Sequence, residues 1–397
     1  MKSLLPAVAA LVVTAVLTPA AVAQDPAARE FPAQDVTARE PTAREPTGQE
    51  LTGQEPTGRE PTARELTGQE PTGQALTWQL RPTGTDAQLR GLSAVSPRVA
   101  WVSGSRGTVL RTADGGRTWA SVAPPGTADL DFRDVEAFDA RTAVVLSIGP
   151  GDSSRLYRTT DGGRTWALTF RNTEPDAFYN CVAFFDRSRG LAVGDPVAGR
   201  FRVLATRDGG RSWHPVPEDR LPPALPGEYG FSASGQCVAT AGARDAWIAT
   251  GGGERARVLH SGDGGRHWSV SDTPLVSSGS AGVFAVAFRT PRHGLAVGGD
   301  YLEPDGAGTN VALTADAGRT WTAPGAPPAG YRSGAAWWGP AVLAVGPTGS
   351  DVSPDGGRHW HRFDAGSFDT VDCTGHPRSG SCWAAGAKGR VGVLTWR

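Results

Sequence analysis

The sequence predicts an all-β fold, a seven-bladed β-propeller whose ring is closed by the N-terminal strand joining the last blade. Three observations predict it. The octet Thr112-Ala-Asp-Gly-Gly-Arg-Thr-Trp119 returns in near-identical form around Asp161, Asp208, Asp263, Asp316 and Asp355, at steps of 47, 47, 55, 53 and 39 residues. Such a period marks one supersecondary unit copied around a ring or along a solenoid. Between octets run short apolar segments cut by Gly and Asp, as at Asn180–Phe185 and Leu191–Gly194 of the third copy, with no stretch suited to a crossover helix. The chain ends on the inner half of a unit, Val371–Thr374, Cys382–Gly386 and Gly389–Trp396, with no octet after it. The body opens on Leu76-Thr-Trp-Gln-Leu80, which matches the Thr-Trp and outer strand that follow every octet. Six octets, one headless start and one unfinished end make seven four-stranded blades, and ring closure leaves only short protected edges.

Ahead of this body lie two other segments. Residues 1–23 carry Lys2, an apolar run from Leu4 to Leu17 and the small-residue site Ala21-Val22-Ala23, the pattern of a secretory signal peptide cleaved near Ala23. An uncleaved signal anchor is the alternative; no other segment is apolar and long enough to span a bilayer. Residues 24–75 are built on a five-residue repeat (VTARE, PTARE, PTGQE and variants) that fits neither helix nor strand, and read as a disordered linker. Gln24 to Ala75 holds ten acidic and five basic residues, so with the chain at −1 and Lys2 adding +1, residues 76–397 come to +3. No basic stripe concentrates there, which excludes a nucleic-acid partner. The body therefore reads as a single secreted or extracytoplasmic domain and a monomer.

Each octet has a physical role. Its Asp sits in a strand-to-strand turn where the carboxylate accepts backbone N–H groups, Gly supplies positive φ, the Ser/Thr hydroxyl adds a local bond, and the Trp wedges between neighbouring sheets. Asp114, Asp161, Asp208, Asp263, Asp316 and Asp355 are accordingly structural. The octet arginines read as solvated rim charges.

These octets match the Asp-box or BNR repeat. The fuller unit, Val182-Ala-Phe-Phe-Asp-Arg-Ser-Arg-Gly-Leu-Ala-Val-Gly194 followed by Leu204-Ala-Thr-Arg-Asp-Gly-Gly-Arg-Ser-Trp213, most resembles the photosystem II stability/assembly factor-like propellers, over essentially all of 76–397. Sialidase-like propellers are more distant relatives. The resemblance implies a non-catalytic scaffold that binds or assembles another protein. The chain carries nothing specifically photosynthetic, so the expected partner is a protein of the cell envelope or medium, with an anionic ligand or glycan as the other class. The alternative is a sialidase-like or related glycoside hydrolase. Against it, no Phe/Tyr-Arg-Ile-Pro motif is present, and Tyr331 and Glu136 are only nominal stand-ins for the catalytic pair.

Aligned on the Ala-Val-Gly element, the repeats place Arg90, Arg133, Asn180, Gln236, Phe284, Arg332 and Asp372 at the start of the innermost strand. In a closed ring Arg332, Asp372, Arg90 and Arg133 fall on consecutive blades, and this arc is the expected anion- or partner-binding site, with inner-ring salt bridging as the alternative. The long segments 215–235 and 299–309 carry aromatics and exceed the usual connection length, which favours contact with a partner. Histidines show no ligand spacing and no phosphate or dinucleotide motif occurs, so neither metal nor cofactor is expected. Of the four cysteines, Cys373 and Cys382 fall on neighbouring strands of the last blade, and Cys181 and Cys237 on inner strands of adjacent blades. The expected pairs are Cys373–Cys382 and Cys181–Cys237, with buried free thiols as the alternative.

Overall fold

The computed structural model describes residues 76–375 and 379–396; the signal peptide and the linker expected at 1–75 lie outside the described residues. Among the described residues the strands form seven antiparallel sheets, six of four strands and one of three. Their innermost strands are Leu89–Ala94, Asp131–Ala137, Tyr179–Phe184, Val238–Ala241, Ala281–Phe288, Gly334–Trp338 and Thr370–Thr374, and these define blades 1 to 7 in chain order.

Burial across each blade follows from stacking sheet on sheet. Second strands such as Ala143–Ile148 and Ser381–Ala385 are continuous apolar runs, covered on both faces by neighbouring blades. Outermost strands such as Ala120–Ser121 and Ala167–Arg171 are largely exposed and carry polar groups. In blade 5 the fourth strand shrinks to one bridge, Leu313 to Thr322, because Pro324, Pro327 and Pro328 follow at once and cannot donate to a ladder.

Blade 7 joins the two ends of the described chain. Leu76–Leu80 pairs with Val391–Trp396 along the whole strand, Thr77 opposite Thr395 and Leu80 opposite Gly392. Trp78 from this strand is buried against Phe363 and Phe368, and its indole N–H donates to Ser350 Oγ in blade 6 at 2.9 Å.

The six octets fold alike, at the face where first strands end and second strands begin (the turn face). In the third, Asp208 Oδ1 accepts from Thr206 Oγ1 (2.8 Å) and from the N–H groups of Arg211 and Ser212 (both 3.0 Å), while Oδ2 accepts from Ser212 Oγ at 2.7 Å. Where the Thr or Ser is replaced by His267 or His359, the ring Nδ1 takes the same carboxylate oxygen at 2.7 and 2.6 Å. These bonds hold five of the aspartates at about 2, and Asp355 lower still. The tryptophans tie blades together: Trp166 Nε1 donates to Val122 O of blade 1 at 2.8 Å, and Trp119 meets Trp383 of blade 7 edge to face.

Candidate functional site

At the opposite face, where innermost strands begin, the repeat stops being regular. Register shifts isolate Arg90, Arg133, Asn180 and Phe284 as the extra residue of a β-bulge on the first strands of blades 1, 2, 3 and 5. A bulge frees one residue from the ladder and re-aims its side chain, which is why these four turn toward the channel mouth. Arg90 and Arg133 come together there. Asp369, just before the blade 7 inner strand, feels both guanidiniums. Arg133 Nε also pairs with Asp131 at 2.7 Å, and burial, then the neighbouring Arg90 charge, pulls its guanidinium down to about 10.

Arg332 does not join this arc. Blade 6 has no bulge in its inner strand, and Arg332 precedes that strand, so its side chain runs into the blade. It is fully buried, with Nε and Nη2 on Asp351 Oδ2 at 2.7 and 2.6 Å and Nη1 on Tyr331 O and Thr348 Oγ1 at 2.7 and 3.0 Å. Asp372 does lie on the ring, but it serves the seam between blades: Oδ2 accepts the N–H of Ala94 in blade 1 at 2.7 Å, and burial pushes its carboxyl up to about 6. Asp134 repeats the arrangement two blades on, accepting from Val182 N of blade 3 at 2.7 Å and from Val135 N at 2.8 Å.

The mouth is also covered. Residues 229–236, the end of the long segment between blades 3 and 4, fold over it rather than outward. Arg133 Nη1 donates to Ser232 O at 3.1 Å. Phe231 is buried and stacks on Phe284, their centroids 3.9 Å apart, with Tyr331 edge-on to Phe284. Gly235 has φ +71°, and a side chain there would come within 2.5 Å of Asp134 Oδ1, so only glycine lets the segment pass. Gln236 then reaches across the channel from blade 4: its Nε2 donates to Ala335 O and Val371 O at 2.9 and 3.1 Å, and its Oε1 accepts from Ala335 N. Earlier in the segment Glu228 is fully buried on Arg257 and Thr250, which pins the loop to blade 4.

Of the four residues expected to form the arc, two therefore meet, Arg90 and Arg133, under a plug. The sequence reading missed Asp369 and Asp131, and it placed Gln236 on the inner ring and Phe231 in a long loop without their reach into the channel. The small-residue run Ser232-Ala-Ser-Gly235 is the signal that could have revealed the close approach.

All four cysteines are paired: Cys181–Cys237 joins the neighbouring blades 3 and 4 with Cα atoms 5.9 Å apart, and Cys373–Cys382 spans directly opposed residues within blade 7. Glu136 lies in the channel beside Asp134 and Asp372, and burial first, then those two charges, pushes its carboxyl well up. Tyr331 is buried, its phenol raised well above the usual range by that burial.

On the same face the 299–309 segment stays out. Leu302 is 54% exposed at its crown, beside a cavity of about 310 Å³ lined by Val276, Ala281, Asp300, Glu303, Asn310 and Tyr331.

The fold is shared with solved propellers. YCF48 bound to a D1 peptide superposes with a TM-score of 0.55 at 15% identity, covering 80% of this chain and 94% of that one. YCF48 from Cyanidioschyzon merolae gives 0.56 at 19% identity, covering 80% and 98%. A GH74 xyloglucanase from Xanthomonas campestris gives 0.31 at 16% identity, covering 73% of this chain and 52% of that one. No protein-family model matches the chain, and no curated protein does. The chain is a seven-bladed propeller similar in fold to the photosystem II assembly factor YCF48, the direction in which its repeat unit already pointed.

Proposed function

We propose that this chain is an exported, non-catalytic scaffold that binds a protein of the cell envelope or medium on the face where the inner strands begin. The observation that carries the reading is Leu302, a half-exposed aliphatic side chain at the crown of a long segment and beside a cavity with apolar and acidic walls. Long exposed segments held on a rigid scaffold are where binding groups concentrate. YCF48, of similar fold, is seen bound to a D1 peptide, so a propeller of this fold can hold a peptide. Arg133 holds the plug at Ser232 O, and Arg90 and Arg133 together face Asp369. Export is supported by the signal-like residues 1–23 and by the pairing of every cysteine, since disulfides persist in oxidising compartments.

Glycoside hydrolysis is the second reading, and Glu136 is what favours it: a channel carboxyl with a raised pKa is the form a general acid takes. One set of variants separates the two. Affinity capture from the native host should recover the same partner with wild type and with Glu136→Gln, and lose it with Leu302→Asp, while melting of the Leu302 variant stays unchanged. Recovery that ignores Leu302 contradicts the docking face. Turnover of fluorogenic glycosides that disappears in Glu136→Gln contradicts the scaffold.

A further inference from the structure

The turn face carries a second cleft, of about 670 Å³, between blades 5 and 6. It opens where two elements fall short of the repeat. The fourth strand of blade 5 is a single bridge, and the first turn of blade 6 is only Gly339-Pro340, against five residues at 289–293 in blade 5. Leu313 and Trp337 form apolar walls, Thr322 brings a hydroxyl, and Arg289 and Arg358 bring positive charge, with the His293 imidazole on the same wall.

One departure from the repeat bears directly on ligand chemistry. In blades 2 and 3 the turn after Phe138 or Phe185 starts with an aspartate, Asp139 or Asp186, whose Oδ1 accepts two turn N–H groups and whose Oδ2 pairs with an arginine, Arg187 or Arg189. In blade 5 Thr290 stands at the aspartate's position, and Arg289 stands where blades 2 and 3 have Phe138 and Phe185, its N–H on His293 O as theirs are on Thr142 O and Arg189 O. Thr290 takes over the capping, its Oγ1 accepting from Arg292 N and His293 N at 3.3 and 3.1 Å. The loop thus keeps its shape, loses a carboxylate to a threonine and gains a guanidinium in place of a phenylalanine at the cleft wall. The only carboxylate lining the cleft among the described residues, Asp355, is spent on its own octet, on Ser353, Arg358 N and His359.

We propose that this cleft binds a carboxylated sugar, a uronate-type unit of an acidic saccharide. Arg289 and Arg358 take the carboxylate as charge-assisted donors, the Thr322 hydroxyl meets a ring hydroxyl, and the Trp337 indole faces the apolar side of the ring. The volume lies in the range of small-ligand sites, about 300–1,000 Å³. A peptide adding as a strand fits less well, because Leu313 N–H and C=O are already bonded to Thr322 at 2.9 Å or less.

Calorimetry on the full chain with a glucuronic-acid trisaccharide, its carboxyl-reduced counterpart and a Glu-rich hexapeptide tests this. The acid trisaccharide should bind, with at least about tenfold weaker binding for the reduced sugar and for Arg289→Ala. Arg289 is exposed, so that variant should melt like wild type. Arg292→Ala, in the same turn but outside the cleft lining, should bind like wild type. The proposal is overturned by absent binding of the acid sugar, by equal affinity for the reduced sugar, by indifference to Arg289→Ala, or by a hexapeptide that binds more tightly and displaces the sugar.

Discussion

The turn-face rim and the central channel use the same side chain to opposite ends. At the rim, aspartate accepts hydrogen bonds from residues within four positions of itself, stays near water, and is held at about 2. In the channel, Asp134 and Asp372 accept from the next blade, Asp134 buried and Asp372 partly so, and burial pushes both up, Asp372 to about 6. The lesson is that a repeated residue with local partners marks construction. One that recurs in only two blades, with partners tens or hundreds of residues away, shapes the individual molecule.

This contrast predicts a ranking of effects by the range of the contact removed. Deleting residues 76–82 takes out an entire ladder and the buried Trp78, for which truncation alone is worth about 3–5 kcal/mol. Melting should drop by more than about 5 °C or become non-cooperative. An unchanged melting curve would mean that blade 7 does not need its outer strand. Next, Asp134→Ala strands the buried N–H of Val182 and should cost about 1–3 kcal/mol in denaturant titration. Asp208→Ala, at the rim, should cost about 1 kcal/mol, because solvent replaces part of what the octet loses. Equal costs for the two would erase the distinction.

The smallest expected effect is on pH dependence. The octet carboxylates fall from 3.8 to about 2 on folding, so the stability they add is complete above about pH 4 and is lost as pH drops toward 2. Asp372 rises from 3.8 to about 6, so the fold prefers its protonated form and gains stability as pH falls from about 6 to 4. Melting temperature should therefore hold or rise slightly from pH 7 to 5 and decline below pH 4. Asp372→Asn should reduce the rise, the remainder coming from Asp134 and Glu136, and leave the decline.

Much of the architecture was legible in the sequence, since six near-identical octets report their own spacing and the end fragments 76–80 and 371–396 are recognisable pieces of the same unit. The direction of the inner-ring side chains was not. Whether Arg133 or Arg332 faces the channel depends on a bulge in one strand and its absence in another, and a gapless alignment treats the two alike. The plug was also hidden: Phe231 looked like an exposed contact group because its segment is long, whereas Phe284 and Gly235 give it a place inside. Both failures share a cause, since non-local packing leaves no period to read.

Carboxyl-detected NMR titration of the folded chain, resolving the octet aspartates and Asp372 between pH 1.5 and 8, tests the contrast most directly. The octet carboxyls should titrate around 2 and Asp372 near 6. An octet aspartate titrating at or above 4, or Asp372 titrating with it, would contradict the division between a constructional rim and an individual channel.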